Sequence, residues 1–220
     1  DSTALSYIDS NAEKNVAYEY FVKKKIVATI DTTEEIFDGY GYISVADDFN
    51  VPDYNGRLLL LIDETLKDSL KLELKRFVYD LTADGWTVVE KYVSRTEDFN
   101  KDEVLNIKNI VKDEFFASDD SLSGLILFGR IAVPYSGKFA VDGHSNHVGA
   151  WVADVYYSDI YGTYTDTSVV DTSADRKENK NIIGDGKYDN NQISDKSLLM
   201  AGRIDFYKIT YNNKSEIELY

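Results

Sequence analysis

The sequence predicts an α/β fold, a mostly parallel sheet with helices on both faces, and three observations carry that prediction. Residues 57–63 (RLLLLID) and 122–133 (LSGLILFGRIAV) are continuous apolar runs bounded by turn signals, the pattern of strands buried on both faces. Between them, two stretches repeat apolar residues at helical spacing. The elements alternate strand, helix, strand, helix, strand with short connections, which requires parallel pairing through right-handed crossovers.

Taken in order, residues 1–56 differ from the rest. NVAYEYFVKKKIVATIDTT mixes aromatic and β-branched residues and reads as one or two strands, or as a short helix running into a strand. EEIFDGYGYISVADDFNVPDYNG is rich in turn residues, with Gly39, Gly41, Pro52 and Gly56 as punctuation. The region reads as an irregular, β-rich leader packing on a main domain of residues 57–220. After the strand at 57–63, Leu66, Leu70, Leu74, Phe77, Val78 and Leu81 place a helix over 64–85, with Gly85 where a C-cap glycine belongs. A strand follows at 86–95. Val104, Ile107, Ile110, Val111 and Phe115 form the apolar stripe of a second helix over 100–118. Asn100 is its N-cap, with Glu103 in capping-box position.

In an open parallel sheet, ligands gather beyond the carboxyl ends of the strands. The functional loops are therefore expected after Asp63, Arg95 and Arg130. Residues 134–197 read as a loop-dominated segment with one short strand within 151–159; such length marks functional or ion-stabilised structure. Residues 196–206 read as another buried strand, and Ile217 with Leu219 as the first turn of a helix.

Composition narrows the function. The chain has 220 residues, with 39 acidic and 24 basic side chains and a formal charge of −15. That field repels phosphate backbones, so nucleic acid is not an expected partner; divalent cations and basic peptides are. No apolar run reaches the length of a membrane span. Cysteine is absent, which removes disulfides, zinc–thiolate sites and a thiol nucleophile from this chain. G-x-G-x-x-G, the Walker A pattern and G-x-S-x-G are missing, so neither a nucleotide site nor a serine hydrolase is expected. The first residue is Asp rather than Met, consistent with a processed, exported protein.

Two motifs stand out. DGHSNH brings Asp142, His144 and His147 together; these residues are expected to order the loop through hydrogen bonds, with metal ligation as the alternative. Downstream, Asp185 and Asp189 around Gly184 and Gly186 look like part of a calcium loop, although the EF-hand spacing is not met. Asn181 and Asp159 complete the expected Ca2+ set, with Asn191, Asp166, Asp171 and Asp175 as further oxygen donors.

The order of elements, with the run from DGHSNHVGAWVADVYYSDIYG through GDGKYD to AGRID, resembles the N-terminal part of the gingipain-like cysteine peptidases, which have a caspase-like α/β fold. The resemblance covers roughly residues 57–220. It implies a large bacterial protein, secreted or on the cell surface, often exported by type IX secretion. It also implies that Asp154 helps line the pocket for a basic substrate side chain, with Trp151 and Tyr156 beside it. The catalytic His and Cys of the family lie beyond a strand like AGRID, so a second chain or a C-terminal segment is expected to supply them. Gly129-Arg130 stands where the family has Gly-Asp. The implied function is the sheet scaffold and one wall of a peptide-binding cleft, in a peptidase or a non-catalytic relative. The alternative is a non-catalytic, calcium-stabilised surface binding or adhesion module, in which a Tyr-rich loop meets a protein or glycan.

Overall fold

The computed structural model describes residues 6–14, 16, 18–30, 33–45, 54–117, 122–193 and 199–220. The chain divides into two units, Asp1–Pro52 and Asp53–Tyr220. In the first, β1 (Tyr18–Ile30) and β2 (Thr33–Val45) pair antiparallel, from Tyr18 opposite Val45 to Ile30 opposite Thr33. Gly39 and Gly41, expected as turn punctuation, lie inside β2. The reason is visible across the ladder: the Phe21 ring packs on Tyr40 and Tyr42, which flank Gly41, with centroids 5.8 and 5.0 Å away. Cross-strand aromatic pairs of this kind outweigh the weak strand preference of glycine. Pro52 lies outside the described residues.

The second unit runs β3 (Gly56–Asp63), α1 (Lys71–Ala83), β4 (Trp86–Val93), α2 (Lys101–Phe116), β5 (Leu122–Phe128), β6 (Tyr135–Phe139), β7 (Gly149–Val152), α3 (Val155–Ser158), β8 (Met200–Ile204) and α4 (Glu216–Leu219). The main sheet has the order β4-β3-β5-β8 and is parallel throughout; β6 and β7 form a separate antiparallel pair. Alternate residues of β3 face opposite ways. Leu58, Leu60 and Ile62 join Leu66, Leu70, Leu74 and Phe128 in one cluster, against which Phe77, Val78 and Leu81 of α1 pack. Leu59 and Leu61 join Val104, Ile107 and Val111 of α2, with Leu125, Leu127, Tyr157 and Ile160, in the other. Burying each such leucine contributes about 1.5–3 kcal/mol, which is what drives the helices onto both faces.

Three boundaries differ from expectation for local reasons. The helix expected over 64–85 begins only at Lys71. Asp63 Oδ1 accepts from both Thr65 N and Thr65 Oγ1 and caps a separate 3-10 turn, Glu64–Leu66. The strand expected over 122–133 ends at Phe128, because Gly129 turns the backbone with φ +97°. A Cβ there would stand 2.4 Å from the Asp63 Cβ, so the chain passes close behind that aspartate only because the residue is glycine. The strand expected within 151–159 is β7, at 149–152, followed by the one-turn α3. At α2, Asn100 caps as expected, accepting from Asp102 N and Glu103 N, while Glu103 turns to the Asn106 amide. Residues 194–197, the end of the expected loop segment, lie outside the described residues, as do 196–198 at the start of the buried strand expected over 196–206. That strand is β8, at 200–204, and it is largely exposed rather than buried because it stands at the edge of the sheet, paired among the described residues only with β5.

Candidate functional site

The carboxyl edge of the sheet is closed by a lattice of arginines and carboxylates. Asp63, at the end of β3 and fully buried, accepts through Oδ2 from Arg95 Nη1 at 3.0 Å and from Arg130 N at 3.2 Å. Arg95, just after β4, also donates to Glu97 Oε1 at 2.9 Å and binds both oxygens of Glu216 at 3.0 and 2.8 Å. Arg130, just after β5, donates to Asp205 Oδ2 and to the Glu97 carbonyl, each at 3.0 Å. Both guanidinium groups lie over the Tyr207 ring, whose hydroxyl donates to Glu97 Oε2 at 3.1 Å. The Arg95 contact, then the Tyr207 hydroxyl, hold the Glu97 carboxyl below its ordinary range. The three loops expected to be functional, after Asp63, Arg95 and Arg130, therefore meet in one network.

Beside this network the segment from Ser94 to Glu103 lines an open surface cavity of about 360 Å³. Arg95, Glu97, Asp98, Phe99, Asn100 and Glu103 are among its walls. Glu97 is spent on Arg95 and Tyr207. Among the described residues, Asp98 and Glu103 enter none of the ion pairs at this edge; Glu103 gives Oε2 to the Asn106 amide and keeps Oε1, so these two carboxylates are the acceptors nearest the cavity that no cation holds. Phe99, fixed edge-on to Tyr135 at 5.7 Å, supplies an apolar side. Glu103 was legible only as a helix-cap residue, and Asp98 carried no motif; their position after the second strand is the signal that locates them.

Asp154 is engaged within the fold. Its two oxygens accept from Arg203 Nε and Nη2, both at 2.8 Å, and Arg203 also donates to the Ile131 carbonyl at 2.7 Å and the Ala132 carbonyl at 3.2 Å. Burial opposes the charge on Arg203, and the Asp154 carboxylate more than offsets it, leaving the guanidinium above its ordinary value. Tyr156, expected at a substrate surface, is 5 % exposed; it stacks on Tyr188 at 4.5 Å and meets Tyr164 edge-on at 4.8 Å. Its carbonyl, with those of Tyr157 and Asp159, accepts from the buried Lys108 ammonium, which burial draws down to about 8. Trp151 is half-buried, and its indole N–H is shared by the Phe139 and His147 carbonyls, each at 3.1 Å.

The residues expected to hold calcium each make contacts to turns and neighbouring groups of the fold. Asp189 accepts from Thr165 Oγ1 and from the N–H groups of Thr167, Ser168 and Val169. Partial burial raises its pKa, but these donors win and bring it to about 2. Asp185 accepts from Ile182 N and Lys187 N. Asp159 is fully buried and accepts from the Tyr164 hydroxyl. Asn181 donates to the Gly137 and Tyr188 carbonyls, and its buried Oδ1 has no partner. Among the described residues, the one set of three or more acidic or histidine ligand atoms within 4.8 Å of one another is Asp142, His144 and His147. Asp142 Oδ2 lies 3.1 Å from His144 Nδ1 and 2.7 Å from His147 Nδ1, so the expected loop-ordering contacts are present. The His147 contact, then the His144 N–H, hold the Asp142 carboxyl well below its ordinary range.

Among the described residues, no helix is long and apolar enough to cross a membrane. Compared with protein-family models, curated proteins and solved structures, the chain has no significant match.

Proposed function

We propose that this chain is the sheet scaffold and one wall of a peptide-binding cleft in a gingipain-like secreted protein, and that the cavity between Ser94 and Glu103 receives a basic side chain. The observation that supports this reading is the pair of carboxylates, Asp98 and Glu103, at the carboxyl edge of an all-parallel sheet. That edge is where open sheets of this kind present ligands. A guanidinium or ammonium group entering there gains charge-assisted hydrogen bonds from two acids and a flat apolar contact from Phe99. The net charge of −15 steers such a ligand toward the protein. Asp154 reaches a ligand only by giving up Arg203, so it acts through the fold of the wall. Cleavage requires a thiolate, which this cysteine-free chain does not contain, and a second chain or segment would have to provide it with its histidine. A non-catalytic relative uses the same wall for binding alone.

Fluorescence anisotropy with a labelled octapeptide containing one central Arg tests the reading. Binding is expected for the Arg peptide and not for its Glu counterpart. Asp98→Asn with Glu103→Gln is expected to weaken it about tenfold or more, the size of one lost charge-assisted contact. Equal affinity in that variant, or no binding of the Arg peptide at about 1 mM, a range where even weak contacts register, refutes the proposal.

A further inference from the structure

The turn that carries both histidines has the makings of a metal centre. Three potential ligands, Asp142 Oδ2, His144 Nδ1 and His147 Nδ1, converge from six residues of chain. In a tetrahedral zinc site with bonds of about 2.0–2.1 Å, ligand atoms stand about 3.3 Å apart. The two edges that meet at Asp142, 3.1 and 2.7 Å, fall short of that by about 0.2 and about 0.6 Å, and the three ligand atoms all lie within 4.8 Å of one another. An outward shift of that size needs only small side-chain rotations.

The turn is also held from outside. Gly143 adopts φ +82°, His144 N donates to Asp142 Oδ1, and His147 N donates to the His144 carbonyl at 3.0 Å. Trp151 Nε1 fixes the His147 carbonyl. Asn146 is tied to Asp175 twice, side chain to carboxylate at 2.6 Å and carbonyl to backbone N–H at 3.0 Å. Ligands on a braced turn lose little freedom when they bind, which is the condition for useful affinity from three donors.

We infer that Asp142, His144 and His147 bind one divalent transition-metal ion of the zinc class. Two imidazole nitrogens and one carboxylate oxygen suit Zn2+, Co2+, Ni2+ or Cu2+. Ca2+ and Mg2+ favour all-oxygen shells and are disfavoured by a set in which two of three donors are imidazole nitrogens. The His144 side chain is 71 % exposed, so the fourth coordination position opens to solvent and takes water or a donor from a bound partner. This centre is independent of the acid-rimmed cavity and stands or falls separately.

Calorimetry of the metal-free full chain with Zn2+, and the visible absorption of Co2+, test the inference. One ion per chain is expected, with a dissociation constant on the order of micromolar and the intense visible bands of tetrahedral cobalt. Cu2+ is expected to quench emission from Trp151, whose indole touches the same turn. His144→Ala with His147→Ala removes every histidine of the chain and is expected to abolish binding, with circular dichroism confirming the fold. Asp142→Asn keeps both rings and is expected to weaken binding about tenfold. Zn2+ that fails to bind at about 100 μM, a hundredfold above that constant, overturns the inference. So does Zn2+ that binds the double histidine variant as tightly as the parent, or that is displaced by millimolar Ca2+.

Discussion

Asp154 and Arg203 lie 49 residues apart in sequence and meet in a bidentate pair, so a double-mutant cycle on them decides whether this carboxylate belongs to the fold or to a ligand. The side chains are 26 % and 13 % exposed, close enough to burial that a lone charge is costly. Breaking a buried pair costs about 3–5 kcal/mol, and the partial access of water at Asp154 places this pair at the lower end. Arg203→Met also takes a donor from the Ile131 carbonyl, while the Ala132 carbonyl keeps the Tyr157 hydroxyl at 2.8 Å. Arg203→Met is therefore expected to cost about 3–4 kcal/mol and Asp154→Asn about 2–3 kcal/mol. The double variant should fall short of their sum by about 2 kcal/mol. Urea unfolding followed by tryptophan emission is the assay, since Trp86 and Trp151 both report on the second unit. With m of about 2 kcal/mol/M, Arg203→Met moves the midpoint down by about 1.5–2 M. A coupling below about 0.5 kcal/mol, the noise of additivity, refutes the reasoning and returns Asp154 to the set of carboxylates open to a substrate.

Three further outcomes are expected. Lys108→Met leaves the carbonyls of Tyr156, Tyr157 and Asp159 without their ammonium donor and should cost about 2–4 kcal/mol in the same urea assay, despite the gain in apolarity. Gly129→Ala must place a Cβ against Asp63 at positive φ and should lower stability by about 2–4 kcal/mol; a neutral result means the backbone there relaxes freely. Asp189 has a folded pKa near 2, below its unfolded value of about 3.9, so its contribution is full above pH 4 and is lost as pH falls toward 2. Asp189→Asn should therefore destabilise by about 1.5–3 kcal/mol at pH 6, and the difference from the parent should shrink between pH 4 and pH 2, as read by melts across that range.

The architecture was legible because burial on both faces leaves a mark in local sequence. Leu58 to Ile62 have no polar alternation, and α2 announces itself by its stripe and by Asn100. The start of α1 was not legible, since Leu66 and Leu70 bury into the same cluster from a 3-10 turn and so keep the helical spacing outside the helix. The hairpin of the first unit was half-legible: its residues read as strand, but its glycines read as breaks until Phe21 is seen across the ladder. At the candidate site the sequence located the loops and not the roles. Arg203 looks like an ordinary strand residue, and nothing near it in sequence says that Asp154 is its partner. Asp98 and Glu103 matter because others are spent, and that is a property of the whole lattice.

The same difficulty governs the acidic segment, because an Asp beside a Gly serves a calcium loop and an anion-capped turn equally well. The two uses differ in where the oxygens point. Asp166 accepts from Gly184 N and Gly186 N at 2.7 Å each, Asp171 from Ser173 N at 2.8 Å, and Asp185 and Asp189 from six donors between them. These carboxylates take the place of the ladder partners that an irregular segment lacks. A Ca2+ ion seated on Asp185 and Asp189 would have to compete for those oxygens with donors already in place, most of them exposed, so that each contact it displaces costs about 0.5–1.5 kcal/mol, the net worth of a hydrogen bond that water can replace. The melting midpoint of metal-free protein is therefore expected to stay within about 1 °C when millimolar Ca2+ is added, a shift that corresponds to well under 1 kcal/mol. A rise of several degrees means that the ion wins the competition and that the oxygens turn inward to meet it.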